Sequence, residues 1–219
     1  MSIHHHLDDA TIMAYAAGTL REALCVAVAA HVAICPRCRA AVRAAEAAGG
    51  ALLEEIDAVS LDADALDRAM ARIETPAAAR PAMPEPAPRP RDPRVPAPLA
   101  RLIGGGLDEV RWRWLAPGVR SYEIPVTPGA GSLRLLRIAP GKAVPEHGHG
   151  GTELTLILSG SYSDVTGHYG PGDVADLDED VEHAPVVDSP EDCICLVATE
   201  SPTRFKGLIG RLLQPYFRI

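Results

Sequence analysis

Three histidines and a glutamate stand out in the second half of this chain. Gly141 is followed after five residues by His147, then come His149, Glu153 after three more and Gly160 after six; a later stretch ends in His183. Imidazole nitrogens and a carboxylate at these spacings can close on one metal ion inside a small β-barrel. His-x-His puts both rings on one side of a strand or its entry loop, because strand side chains repeat every two residues, and the glutamate joins from the strand segment that follows. Mixed nitrogen and oxygen ligation suits Zn, Fe, Mn, Ni or Cu. The first half carries a second set, His31-x-x-x-Cys35-x-x-Cys38, with the spacing of a zinc site. Its fourth ligand must come from elsewhere, and the N-terminal arm offers His4, His5 and His6. Two sets on unlike segments point to a sensor joined to an effector more than to a single enzyme.

The elements that must position the first set are helical. Four helices are predicted before residue 75. Asp8 or Asp9 caps the first, which turns Ile12, Tyr15 and Ala16 inward. Thr19 with Glu22 three residues on forms a capping box for the second, whose Leu24, Val28 and His31 share one face. Pro36 suits the first turn of the third, which Gly49-Gly50 ends. The fourth runs from about Leu61 to Ile73, with Asp62 and Asp64 near its start and a stripe of Leu66, Ala69, Met70 and Ile73. That stripe is either core or a partner-docking face. His31 thus closes helix two, and Cys35 opens helix three, where the positive end of the dipole favours a thiolate. A closed His2Cys2 zinc site is structural, and it supplies stability that an Ala-rich module of about 75 residues lacks from its core alone.

Between about 75 and 98 the chain is mostly Pro, Ala and Arg. Proline has no amide donor for helix or sheet, so this stretch is expected to be an extended linker. Beyond it lie short apolar runs separated by Gly/Pro turns: Val110, Trp112 and Trp114 in alternation, then Leu133–Ile138, Leu154–Leu158 and Cys193–Ala198. This spacing predicts a sandwich or barrel. Cys193 and Cys195, two apart on one strand face, are read as buried apolar fillers in preference to a redox pair, and a disulfide between them would be strained. Cys25 is read as core and His168 as exposed.

Composition narrows the function further. Hydrophobic residues make up 47% of the 219, enough for a sizeable core, while aromatics are only 4%, so that core is aliphatic. The net charge is −8. Phosphate contacts need clustered Lys and Arg, and the Arg37, Arg39 and Arg43 group is modest and reads as a solvated helix face, so direct nucleic-acid binding is disfavoured. Residues 1–10 hold histidines and acids where a secretory signal would be apolar, and the apolar run Ala23–Cys35 is too short to span a bilayer. A cytoplasmic protein with no membrane role is expected. Five cysteines in a reducing compartment then argue for metal or redox roles over disulfides.

The first set, together with Ala14-Tyr15-Ala16-Ala17-Gly18-Thr19-Leu20, resembles the zinc-binding anti-sigma domain, a four-helix module that wraps an extracytoplasmic-function sigma factor. The resemblance selects His6 as the fourth ligand beside His31, Cys35 and Cys38. The second set matches the first cupin motif at Gly141, His147, His149, Glu153 and Gly160. The second cupin motif, usually Gly-x5-Pro-x-Gly-x2-His-x3-Asn, keeps Gly172 and His183 but has Asp178, Asp180 and Val187 for the Pro, the second Gly and the Asn, so the ligand survives and the turn chemistry does not. The order helical zinc module, Pro-rich linker, cupin, closing on Gln214-Pro215-Tyr216-Phe217-Arg218-Ile219, is similar to ChrR-type anti-sigma factors over nearly the whole chain.

The expected architecture is therefore an α + β two-domain chain: a four-helix zinc-binding module at 1–74, a linker at 75–98, and a cupin β-barrel or jelly roll at 99–219. The resemblance implies a non-enzymatic repressor of a sigma factor with zinc in each domain, or another divalent transition metal in the cupin. It also implies release of the partner under oxidative stress, by singlet oxygen or organic peroxide. The competing expectation is a metal-dependent cupin dioxygenase or isomerase with an accessory helical domain. The apolar C-terminus from Phe205 to Ile219 is expected to pack on the barrel or to form a dimer contact, packing being the more common outcome.

Overall fold

The computed structural model describes residues 2–74 and 92–201, with the backbone of 204–205. Most of the expected linker, 75–91, and the C-terminal stretch after 205 lie outside the described residues. The helical part consists of α1 (Asp9–Ala16), α2 (Glu22–Ile34), α3 (Pro36–Glu54) and α4 (Ala65–Glu74), and a fifth helix, α5 (Ala97–Ile103), precedes the strands. The four helices expected before residue 75 are all present, with four local differences, the first being that α4 begins at Ala65 and not near Leu61. Pro36 occupies the first turn of α3, but the helix runs through Gly49-Gly50 and ends only at Glu54. The capping box does not form. Arg21 is the N-cap of α2, the Thr19 hydroxyl donates to the Ala14 carbonyl, and the Glu22 carboxylate accepts from the Thr127 backbone N–H. A tertiary contact has taken the side chain that would have closed the box. Asp8 is the N-cap of α1, but its side chain makes no capping bond.

The barrel is built from a six-stranded antiparallel sheet and two three-stranded ones. The large sheet is formed by β1 (Arg113–Ala116), β2 (Val119–Glu123), β3 (Ser132–Ile138), β5 (Glu153–Ser159), β8 (Val174–Leu177) and β11 (Cys193–Thr199), in the order β1-β2-β3-β11-β5-β8. One small sheet joins β10 (Val186–Val187), β6 (Tyr162–Asp164) and β7 (Gly167–Tyr169); the other joins β12 (Arg204–Phe205), β4 (His147–Gly148) and β9 (Glu182–His183). The three apolar runs anticipated from sequence are β3, β5 and β11. Val110 to Trp114 differs: only residues from Arg113 on are strand, and Trp114 is exposed.

The large sheet is buried on both faces at its β5 and β11 strands, which explains why those two are almost continuously apolar. One alternating set, including Ile157, Cys193, Cys195 and Val197, packs with Tyr162, Tyr169 and Val187 to fill the barrel. The other set, including Leu154, Leu156, Leu196 and Ala198, lies in one continuous core with Ala23, Leu24, Ala27 and Val28 of α2 and Leu99 of α5. Alanines on α2 let the helix approach the sheet closely. Its N-terminus is fixed to the turn after β2: the Ala23 N–H donates to the Ala130 carbonyl and Arg21 to the Gly129 carbonyl. Cys25, expected in the core, is only half-buried.

Candidate metal centres

The barrel set assembles from two stretches of chain, 147–153 and the strand that carries His183. His147 comes from β4, His149 from the loop just after it, Glu153 from the first position of β5 and His183 from β9. All four are buried, and one ligand atom from each lies within 4.8 Å of the others. Two glycines of the first motif bracket them. Gly160, at φ +68°, turns the chain out of β5 where a Cβ would stand 2.7 Å from the Asp192 carbonyl oxygen. The altered second motif closes its turn by other means. The Asp178 carboxylate accepts from the Asp180 N–H, an Asx turn in place of the missing Pro and Gly, and Val187 is a buried filler of the barrel.

Hydrogen bonding fixes the ring tautomers. His147 Nδ1–H donates to the Pro145 carbonyl at 2.9 Å, His149 Nδ1–H to the Asp178 carbonyl at 3.2 Å, and His183 Nδ1–H to the Asp164 carboxylate at 2.7 Å. These oxygens only accept, so each ring carries its proton on Nδ1 and presents a lone pair at Nε2. Burial pushes the His147 and His183 pKa values down, favouring neutral rings. His147 Nε2 and His183 Nε2 stand 3.1 Å apart, and His149 Nε2, buried with no hydrogen-bond partner, lies 3.7 Å from Glu153 Oε2. Three inward Nε2 atoms and a carboxylate, whose Oε1 accepts from the Thr155 hydroxyl at 3.3 Å, converge on one buried point, and a divalent cation fits that donor set.

The helical set is equally compact. Cys35 is the N-cap of α3, with its sulfur accepting from the Cys38 N–H at 3.5 Å. His31, in the last turn of α2, places Nε2 3.3 Å from Cys38 Sγ, and His6 Nδ1 lies 3.4 Å from Cys35 Sγ and 3.7 Å from Cys38 Sγ. Of the three arm histidines, it is His6 that the structure brings into this group. Burial lowers the His31 pKa to about 4 and pushes the Cys38 thiol up to about 11. The imidazole is thus a neutral donor at pH 7, and the thiol needs a cation in place of its proton to ionise. Two nitrogens and two sulfurs fit a closed tetrahedral zinc site.

The other singled-out residues fall as follows. Cys193 and Cys195 are buried free thiols in the barrel core, the filler role read for them. His168 is exposed and pairs with Asp188 at 2.9 Å. Sequence reasoning missed Asp164, the partner of His183. Its one sequence signal is Asp-x-Thr in a hairpin, where the aspartate accepts from the Thr166 N–H and hydroxyl and the Gly167 N–H.

A zinc-type His/Cys cluster on a helical module, seated against a cupin barrel with a three-histidine, one-glutamate set, defines a two-centre metal-binding regulator class. Residues 9–39 match the family described as "Putative zinc-finger", which takes in His31, Cys35 and Cys38, and residues 103–202 match "ChrR Cupin-like domain". The anti-sigma-E factor ChrR of Cereibacter sphaeroides is 47% identical over 223 residues, covering 100% of both chains. The crystal structure of Rhodobacter sphaeroides SigE in complex with the anti-sigma ChrR aligns with a TM-score of 0.78 at 45% identity, over 90% of this chain and 99% of that one. The chain belongs to the ChrR family of anti-sigma factors, which are regulators and not enzymes.

Proposed function

We propose that this chain binds an extracytoplasmic-function sigma factor through its helical module and keeps it from RNA polymerase. The observation that carries this reading is the apolar surface from the end of α3 through α4. Leu52, Leu53, Ile56, Leu66, Met70 and Ile73 are all exposed, and α4 buries none of its residues. Leu66, Met70 and Ile73 recur at i, i+4, i+7, an amphipathic helix with its apolar face open to a partner. Of the two meanings of this stripe, docking is the one that fits an apolar face outside the core. The full-length likeness to a protein crystallised with SigE supports the same partner class.

In this reading His6, His31, Cys35 and Cys38 hold zinc that folds the module, because zinc binding there is folding free energy. His147, His149, Glu153 and His183 hold a second zinc, or another divalent transition metal. That second site responds to oxidative stress, from singlet oxygen or organic peroxide, and promotes release of the sigma factor. The working division is a module at 1–74, a linker at 75–98 and a cupin at 99–219. Among the described residues no single helix is long and apolar enough to cross a membrane, which agrees with a cytoplasmic site of action.

The test is an affinity pull-down of the full-length chain from its own host under low oxidant, with bound protein identified by mass spectrometry. A stoichiometric sigma factor that is lost in a His31→Ala/Cys35→Ala variant is the expected result. Repeated pull-downs without a sigma factor would overturn the reading.

A further inference from the structure

The two metal sets are joined by a continuous line of contacts that bypasses residues 75–91. It starts at His183, whose Nδ1–H donates to Asp164 Oδ2 at 2.7 Å between two side chains almost wholly shielded from solvent. The Asp164 carboxylate also accepts from the Thr166 N–H at 2.7 Å and the Gly167 N–H at 3.2 Å, which fix it in the hairpin turn. Asp164 Oδ1 accepts the Thr166 hydroxyl at 2.6 Å. That commits the single Thr166 proton, so at the 3.0 Å contact between Thr166 Oγ1 and Tyr169 OH it is the tyrosine that donates. The Tyr169 ring then packs against the His5 ring, with centroids 4.2 Å apart.

His5 belongs to the N-terminal arm, which is laced along β8, the edge strand of the large sheet. The His4 and His5 N–H groups donate to Asp173 Oδ1 at 2.6 and 3.0 Å, the Val174 N–H donates to the His5 carbonyl at 3.5 Å, and the Asp8 N–H donates to Asp176 Oδ2 at 3.0 Å. A Cβ at Gly167, in the turn between Asp164 and Tyr169, would stand 3.3 Å from the His5 ring, so turn and arm are in close register. The next residue on the arm is His6, 3.4 Å from Cys35 Sγ. The Gly172 backbone, on the loop before β8, also lies beside His31.

We propose that Asp164 is the positioning residue for His183, and that Thr166, Tyr169 and His5 tie it to His6, so that filling the barrel set with metal tightens metal binding at the helical set. The physical basis is local. A cation on His183 Nε2 makes Nδ1–H a stronger donor, which holds Asp164 and hence the Thr166–Tyr169 pair in place. Tyr169 is then a fixed wall for His5, and His6 is presented to the cysteines at less cost in arm ordering. Such coupling is reciprocal: metal at the helical set tightens the barrel set by the same factor. The inference rests on the reading of both sets as metal sites and is independent of the sigma partner.

The experiment uses the full-length chain stripped of metal and titrated with Co(II). Thiolate-to-cobalt charge transfer reports the helical set alone, because the barrel set has no sulfur ligand. Disabling the barrel set with Glu153→Gln should weaken cobalt binding at the thiolate set by about fivefold or more, the lower range of allosteric coupling. Tyr169→Phe keeps the ring against His5 and removes the hydroxyl, and it should produce a similar weakening. Combining the two should add nothing further, since both cut one line. Thr166→Val is the second variant, with the same expectation, should Tyr169→Phe unfold as judged by near-UV circular dichroism. Equal thiolate-set affinity with the barrel set competent or disabled overturns the coupling, and so do additive losses. Failure to bind two metal equivalents in the unmodified chain overturns the site assignment itself. Asp164→Asn tests the positioning role separately: it should weaken zinc at the barrel set by about 10–100-fold, and unchanged zinc affinity would remove Asp164 from it.

Discussion

His147 and His183 are direct cross-strand partners on β4 and β9, with Nε2 facing Nε2 at 3.1 Å. Each ring already commits its Nδ1–H as a hydrogen-bond donor to an oxygen. The register of a two-residue strand pair thus aims two lone pairs at one point. Two like dipoles this close are unfavourable unless a cation lies between them, so the pair has the arrangement a metal site requires.

His147→Ala should lower zinc from about two equivalents per chain to about one while the barrel stays folded, since its filling by Ile157, Tyr162, Cys195 and Val197 is independent of the ligands. Elemental analysis with far-UV circular dichroism checks this. Two retained equivalents would mean that His147 is not a required ligand.

Gly131→Ala should loosen α2 from the sheet. Gly131 sits at φ +95°, and a Cβ there would meet the Thr199 carbonyl oxygen at 2.6 Å and the Ala23 Cβ at 3.0 Å. The left-handed backbone alone costs about 1–3 kcal/mol for a non-glycine residue, and the carbonyl cannot give way without moving β11. Urea unfolding should show the loss, and a neutral outcome would mean that the turn after β2 does not clamp the helix.

The acid limb of stability should depend on Asp92. Its carboxylate accepts from the Arg94 backbone and guanidinium and from the Leu107 N–H. The Arg94 hydrogen bond holds its pKa at about 2, against an ordinary 3.8. A depressed carboxylate stabilises the fold fully above its unfolded pKa and loses that contribution as pH falls through the folded one. The shift corresponds to about 2 kcal/mol, reduced to about 1 because Arg94 is partly exposed and solvent screens the pair. Asp92→Asn should therefore cost about 1 kcal/mol at pH 7 in urea melts, and the difference from the parent chain should shrink as pH falls below the ordinary 3.8 and vanish only below the folded value of about 2.

Leu66→Asp, Met70→Asp and Ile73→Asp should each change the stability of the isolated chain by no more than about 0.5 kcal/mol, as surface substitutions do. Together they should abolish capture of a co-expressed extracytoplasmic-function sigma factor. Thermal melts and pull-downs read the two halves of the prediction. Intact capture by a folded triple variant would remove α4 from the docking surface.

Both metal sets were legible because their spacing is local or follows a recurrent motif. His31, Cys35 and Cys38 need only a helix end and a helix start, and His147, His149 and Glu153 need one loop between strands. What sequence could not supply was long-range pairing. Glu22 gives its carboxylate to Thr127 instead of to a capping box because α2 docks on the turn after β2. Gly49-Gly50 fails to stop α3 because α-helical geometry tolerates glycine at about 1 kcal/mol each when nothing at that point turns the chain. Asp164 went unnoticed because a buried anion announces itself only through the histidine it meets across the barrel. The core that α2, α5 and the large sheet share is likewise long-range packing that spacing along the chain does not announce.

That shared core makes the covalent thread through residues 75–91 redundant for holding the two halves together. A protease that cut there would leave a two-piece particle, with α2 still seated on the sheet and the arm still bonded to β8. The fragments would co-elute and part only under denaturant, or when another protein offered Leu24 and Val28 a better apolar seat. Liberating the helices is therefore a matter of competition for one helical face, and severing the chain would not achieve it.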